Sequence, residues 1–494
     1  MGKIKKYLKK FPHLLTLLIL AGCQSMESNN NLNYHSSHPG RQNLLDQTDP
    51  IELDVEGKLP TWLQGTLLRV GPSWFGDNPP EASLHWFDGL SMLHAFDISD
   101  NKILYYNKFL ESDALQKAKN EDVFAFRGFA SNLYDNVLIN VISMLFAPTE
   151  VQNANVNMYK VAGQYLAFTE LPPPAAFDRE TLATLGNFQY TDDLPKTNVF
   201  ESAHPQYDSE EKCYYNYIVK YFPSTKYLIY KIPENSCERH LVKEIPVDKP
   251  SYMHSFSITK NYIILTEYPF KLADNLILSG KPFIKNYAWC ANAKTRITII
   301  NKNCPHDVKT YFIDPFFSFH HINAYEEDTH IILNIMAYKD SKIVEDLGYF
   351  PEHLDPSFFL NIKIDLAENK VETRKISVGT VDFPRINPAY NTHPYRYFYA
   401  VKFEKAHHNI IKWDRRTSTF ISWSETGCFA GEPVFIQNPS GARKEDDGVI
   451  LSLVLDVNKK TSFLLLLDAK NFKELARTYL PYSVPFGLHG QFYN

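Results

Sequence analysis

From about residue 43 to the C-terminus the chain repeats one pattern. Short runs of alternating, β-branched and aromatic residues are broken by turns. The runs fall at 66–70, 103–109, 214–220, 262–267, 296–301, 329–336, 396–403, 449–457 and 462–468. Clusters such as Asp446-Asp447-Gly448 separate some of them. Spread over more than four hundred residues with few long helical patterns, this predicts a propeller or another closed all-β architecture. No clean sequence repeat is visible, which argues against a WD-type array. Length alone would allow two or three domains, but a large barrel or propeller uses it all as one unit, here residues 43–494. Aromatic residues make up 14% of the chain. Flat rings pack well on pleated surfaces and around apolar pockets, so this enrichment suits the same reading.

One stretch breaks the pattern. Residues 132–146 (NLYDNVLINVISMLF) carry Leu133, Val137, Val141, Met144 and Leu145 at helical spacing. Phe124, Phe126 and Phe129 precede them. A helix capping the β-core is expected. The sharper reading is an apolar patch around 124–146 that dips into a membrane surface and admits an oily substrate.

The N-terminus reads as a targeting segment. Lys3, Lys5, Lys6, Lys9 and Lys10 precede an apolar run at 11–21, too short to span a bilayer. It ends in Leu20-Ala21-Gly22-Cys23, which resembles the bacterial lipobox. That resemblance implies a signal peptide over 1–22, lipidation of Cys23 and a polar tether over 23–42. Gln24 after the cysteine implies outer-membrane sorting of an exported lipoprotein. A plain secretory signal, giving a periplasmic or secreted protein, is the alternative. The net charge of -5, with no basic stripe beyond this segment, excludes a nucleic-acid partner. Cys213, Cys237, Cys290, Cys304 and Cys428 form no CxxC pair, so zinc-knuckle readings lack support. Cys290 and Cys304 are close enough in sequence to bridge, and sequence does not decide it.

Seventeen histidines are present, and most histidines are structural. Four stand among apolar residues near a strand start or turn: His204 in ESAHPQYD (201–208), His254 in YMHSFSIT (252–259), His320 in FFSFHHINAYEE (316–327) and His489 in PFGLHGQF (485–492). A buried imidazole needs a partner, and a shared metal is one. They lie far apart, so only a closed fold could unite them, and spacing alone would not select these four.

Several segments resemble the carotenoid cleavage oxygenases, a family that also holds the retinoid isomerase and stilbene-cleaving dioxygenases. They are GTLLRVGP (65–72), HWFDG (85–89) with MLH (92–94), EDDG (445–448), LDA (467–469) and LHG (488–490), in order over nearly the whole chain. The resemblance implies a seven-bladed β-propeller with a helical cap over the metal-bearing face. It implies one Fe(II) per chain on His204, His254, His320 and His489. Asn323, in the pattern His-x-x-Asn-Ala-aromatic-Glu, selects His320 over His321, which would face the other way in a strand. Three second-layer glutamates are also implied. Glu170 and Glu432 match, but the second falls on Asp382, one methylene shorter. Thr169 matches a position beside the open coordination site, where it would gate dioxygen. Gly89-Leu90-Ser91 departs from the family's Gly-Asp-Gly, with a structural effect only. His85 and His94 are expected as core histidines, and His393, His407 and His408 as loop residues.

The implied activity is oxidative cleavage of one conjugated C=C bond in a carotenoid or apocarotenoid, with O2 as co-substrate and a hydrophobic polyene as partner. Imidazole-only ligation suits Fe(II). KFLESDA (108–114) and 251–259 look closest to the animal-type branch. Alternatives are stilbene-type cleavage, retinoid isomerase-like activity and a non-catalytic pigment or lipid carrier. Outside the family, a propeller glycosidase or phosphatase would need Glu170, Asp382 and Glu432 as paired acids.

Overall fold

The computed structural model describes residues 38–76, 85–121, 128–130, 152–273, 279, 281–351, 354–440 and 444–494. The protein is all-β, as expected. Among the described residues its helices are short, the longest being Asp113–Glu121, and no helix is long and apolar enough to cross a membrane. The helix expected at 132–146, with Phe124, Phe126, Cys23 and the segment 1–37, lies outside the described residues.

Antiparallel meanders succeed one another along the chain. Asn157–Val161, Gln164–Phe168, Ala175–Phe177 and Thr184–Asn187 form one four-stranded sheet. A second is built on Cys213–Lys220, Lys226–Pro233 and His240–Pro246. A third contains Tyr262–Glu267 and Thr295–Asn301. A fourth comprises His321–Glu327, His330–Tyr338, Ser357–Asp365 and Lys370–Gly379. Later strands make a ten-stranded sheet in which two antiparallel meanders meet at one parallel bridge, His408 to Phe429. Early and late strands of the described residues are tied together. Val55–Gly57 pairs with Glu474–Tyr479, and Gly490–Tyr493 pairs with Gly65–Trp74.

The unbroken apolar strands have a direct cause. In His330–Tyr338, Ile331, Leu333 and Ile335 enter one core cluster, while Ile332 and Met336 enter another. Leu464 and Leu466 likewise face away from Phe463, Leu465 and Leu467. Successive side chains point to opposite faces, so a strand apolar at every position belongs to a sheet packed on both sides.

The structure corrects two expectations and decides one pairing that the sequence left open. The tether does not reach residue 42: Gly40 and Arg41 are buried, the His38 ring caps the turn Pro39–Arg41, and the Arg41 guanidinium donates to the Gly348 carbonyl at 3.0 Å. A Cβ on Gly40 would sit inside the Phe486 ring, so the turn is fitted to the core. His407 and His408 belong to the strand His407–Asp414, with His408 buried against Phe403 and Phe429. Cys290 and Cys304 are both exposed and unbridged.

Candidate metal centre

His204, His254, His320 and His489 come from four segments of the chain and converge. Their ligand nitrogens all lie within 4.8 Å of one another. His204 Nε2 and His254 Nε2 are 2.9 Å apart, and His320 Nε2 and His489 Nε2 are 3.2 Å apart. Two imidazole nitrogens at about 2.1 Å from one metal and at right angles stand about 3.0 Å apart, so the spacing fits adjacent coordination positions.

The far side of each ring decides which nitrogen faces inward. His254 Nδ1 donates to Glu170 Oε1, His320 Nδ1 to Asp382 Oδ1 and His489 Nδ1 to Glu432 Oε1, each at 2.7 Å. A carboxylate accepts only, so each Nδ1 carries the proton and each Nε2 presents its lone pair. His204 differs: its Nδ1 lies 3.3 Å from the Asn157 side-chain amide.

Burial alone would raise the Glu432 carboxyl. Arg385, His489 and Arg69 outweigh it and hold the group at about 2. Asp382 is also lowered: burial opposes ionisation, but His320, the Tyr338 hydroxyl and the Phe383 amide prevail. The same burial disfavours imidazolium. It lowers His254, takes His489 to about 4, and takes His204 well down, with the neighbouring rings adding to the effect at His204. Neutral His204, His254 and His489 with ionised Asp382 and Glu432 are the states a cation requires.

Each carboxylate is in turn held. The Tyr252 hydroxyl donates to Glu170 at 2.8 Å, and the Tyr338 hydroxyl to Asp382 at 2.7 Å. Arg385 and the Gly490 amide donate to Glu432 at 3.2 and 2.9 Å. Arg69, from the opening motif, donates to the backbone carbonyls of Glu432 and Leu488 and ties those two segments together. The sequence reading missed Asn157, Tyr252, Tyr338 and Arg385. Only Tyr252 had a local signal: it precedes His254 by two residues, which in extended backbone places both on one face.

His321 turns away and bonds to Ser257 and Tyr268 through its two nitrogens. His85 and His94 are buried core histidines on the Val344 carbonyl and the Tyr105 hydroxyl. His393 is exposed in a loop. Beside the cluster is a cavity of about 40 Å³ whose walls include Phe87, Phe129, Thr169, Phe383 and Leu488. Asp88 receives the backbone amides of Phe129 and Ala130 and so fixes one wall.

An all-β scaffold that gathers four imidazoles on one point, three of them on carboxylates, beside an aromatic cavity defines a histidine-ligated metalloprotein. The family model for the retinal pigment epithelial membrane protein matches residues 40–494. The chain is 31% identical to the β,β-carotene 15,15'-dioxygenase of Mus musculus, over 91% of this chain and 90% of that protein. It is 30% identical to a carotenoid isomerooxygenase of Galleria mellonella, over 90% and 94%. The cobalt-substituted apocarotenoid oxygenase of Synechocystis superposes with a TM-score of 0.78 at 26% identity, covering 92% and 98%. The chain therefore belongs to the retinal pigment epithelial membrane protein family, the carotenoid cleavage oxygenases.

Proposed function

We propose that the protein is a non-haem Fe(II) dioxygenase that cleaves one conjugated C=C bond of a carotenoid or apocarotenoid into two carbonyl products. The carrying observation is the cluster itself, with its carboxylate-backed imidazoles beside an apolar cavity. His204, His254, His320 and His489 would hold Fe(II), whose chemistry there is the activation of dioxygen. Glu170, Asp382 and Glu432 keep the Nδ1 protons in place. Phe87, Phe129 and Leu488 exclude water and present an apolar face to a polyene. The partly exposed Thr169 side chain lines the same cavity and would gate dioxygen there. No side-chain base is required.

The test is anaerobic Fe(II) loading, then aerobic incubation with carotenoids, apocarotenals and stilbenes, with products read by mass. Two carbonyl fragments and stoichiometric oxygen uptake are expected. Iron-loaded protein that cleaves none of the panel overturns the reading. The carotenoid isomerooxygenase relative favours one second reading, in which isomerisation accompanies the cleavage; an isomerised product formed with oxygen uptake would select it, and turnover without oxygen uptake would select retinoid isomerase-like activity. We further read the meanders as seven propeller blades under a helical cap, and the N-terminus as a lipoprotein signal with Cys23 lipidated at the outer membrane. The family's oily substrates and the LAGC sequence support membrane attachment. Cys23→Ala should move the protein from the membrane fraction to the soluble one.

A further inference from the structure

Three carboxylates hold three ligand histidines at the same 2.7 Å, yet two are glutamates and one is an aspartate. The shorter arm reaches because the backbone comes to it. The pairing of Val381–Arg385 with Tyr397–Glu404 slips between Asp382 and Arg385. Phe383 has φ 54°, in the left-handed region that a phenylalanine rarely adopts. In that conformation its amide donates to Asp382 Oδ1 at 2.8 Å, the oxygen that also holds His320. The other oxygen, Oδ2, takes the Tyr338 hydroxyl at 2.7 Å. Tyr338 is 3% exposed and Asp382 5%. The Tyr338 backbone is clamped in both directions to Phe317, at 2.7 and 3.0 Å, so its phenol arrives from a fixed origin. A carboxylate held through both oxygens cannot rotate about its terminal bond. At Glu170, by contrast, tyrosine and histidine share one oxygen, Oε1.

We propose that Tyr338 is a positioning residue, which locks the short Asp382 carboxylate so that His320 directs its Nε2 at the metal point. The inference rests on the four-histidine metal reading, and the test separates the two. Co(II) is the probe, titrated against a chelator and read by its visible d–d absorption, which reports ligand geometry without turnover. Tyr338→Phe keeps the ring and removes only the hydroxyl. It should weaken Co(II) binding about 10-fold, at the low end of what outer-layer partners contribute, and shift the d–d bands, with the melting transition little changed. In an Asp382→Ala background the same substitution should add nothing, because its only route to the metal is gone. Asp382→Glu should also weaken binding, since the turn at Phe383 already supplies the reach. Wild-type affinity and bands for Tyr338→Phe, a further loss in the Asp382→Ala background, or undiminished affinity for Asp382→Glu would each overturn the inference. Failure of the unaltered protein to bind Co(II) at all would overturn the metal reading and this inference with it.

Discussion

Two groups of histidines stand in this molecule and do opposite things. His204, His254, His320 and His489 turn their Nε2 atoms on one point, and three of them bond a carboxylate behind. His85 and His94 are as deeply set and His321 is half-buried, yet their nitrogens go to backbone groups or to hydroxyls of the surrounding core. All but His321 are buried, so burial does not tell the groups apart. What separates His254, His320 and His489 from the second group is the charge behind the ring, since an imidazole whose far nitrogen meets an anion is well suited to face a cation. His204, backed by the neutral Asn157 amide, is set apart by its convergence on the same point.

The largest effect should come from removing a ring in the first group. His254→Ala should drop bound metal from about one equivalent to near none, with cleavage lost and the fold retained, as read by metal analysis and circular dichroism. His321→Ala should keep its metal, and its losing metal equally would erase the distinction between the groups. Glu432→Gln keeps an acceptor for His489 but loses the charge. Metal affinity should fall about 10- to 100-fold, measured by chelator competition, with smaller effects on thermal stability.

In the second group the cost should appear as stability. His94→Gln should lower the unfolding free energy by about 0.5–1.5 kcal/mol through the lost bond to the Tyr105 hydroxyl, which keeps Tyr482 at 3.4 Å, without change in metal content. The same ring also carries a pH dependence. Burial, with Arg69 nearby, takes His94 from 6.5 to about 3. The folded-state value is depressed, so below pH 6.5 the unfolded chain binds a proton that the folded one refuses. The His94 contribution is therefore complete above 6.5 and is lost as pH falls toward 3, by about 2 kcal/mol between pH 7 and 5. Denaturant midpoints at the two pH values should differ less in His94→Gln than in the unaltered protein. An equal difference would show that the ring takes up a proton when folded.

Much of the architecture was legible in the sequence because a strand is a local object. Its period of two and its turn residues lie within a few positions, and all nine runs read from the sequence fall on strands. The errors also have local causes. His407 and His408 follow Lys405-Ala406, which is a two-residue hairpin turn between strands and not a long loop. The tether was drawn too long because His38, Pro39 and Gly40 read as polar linker, while their fit against Phe486 depends on residues more than four hundred positions away. The ligand set was legible only through the resemblance of its segments to a known family, which also chose His320 over His321.

The sequence by itself determined that the chain is all-β and which histidines stand in strand-flanking apolar segments. Those properties follow from neighbours along the chain. Only the tertiary structure decided that four of these rings share one point and that Asp382 reaches His320 directly. It alone placed Tyr252, Tyr338 and Arg385 behind the carboxylates. A hydrogen bond between residues 338 and 382, or a cluster drawn from 204 to 489, exists only once the sheets have stacked, and no local period of the chain encodes it.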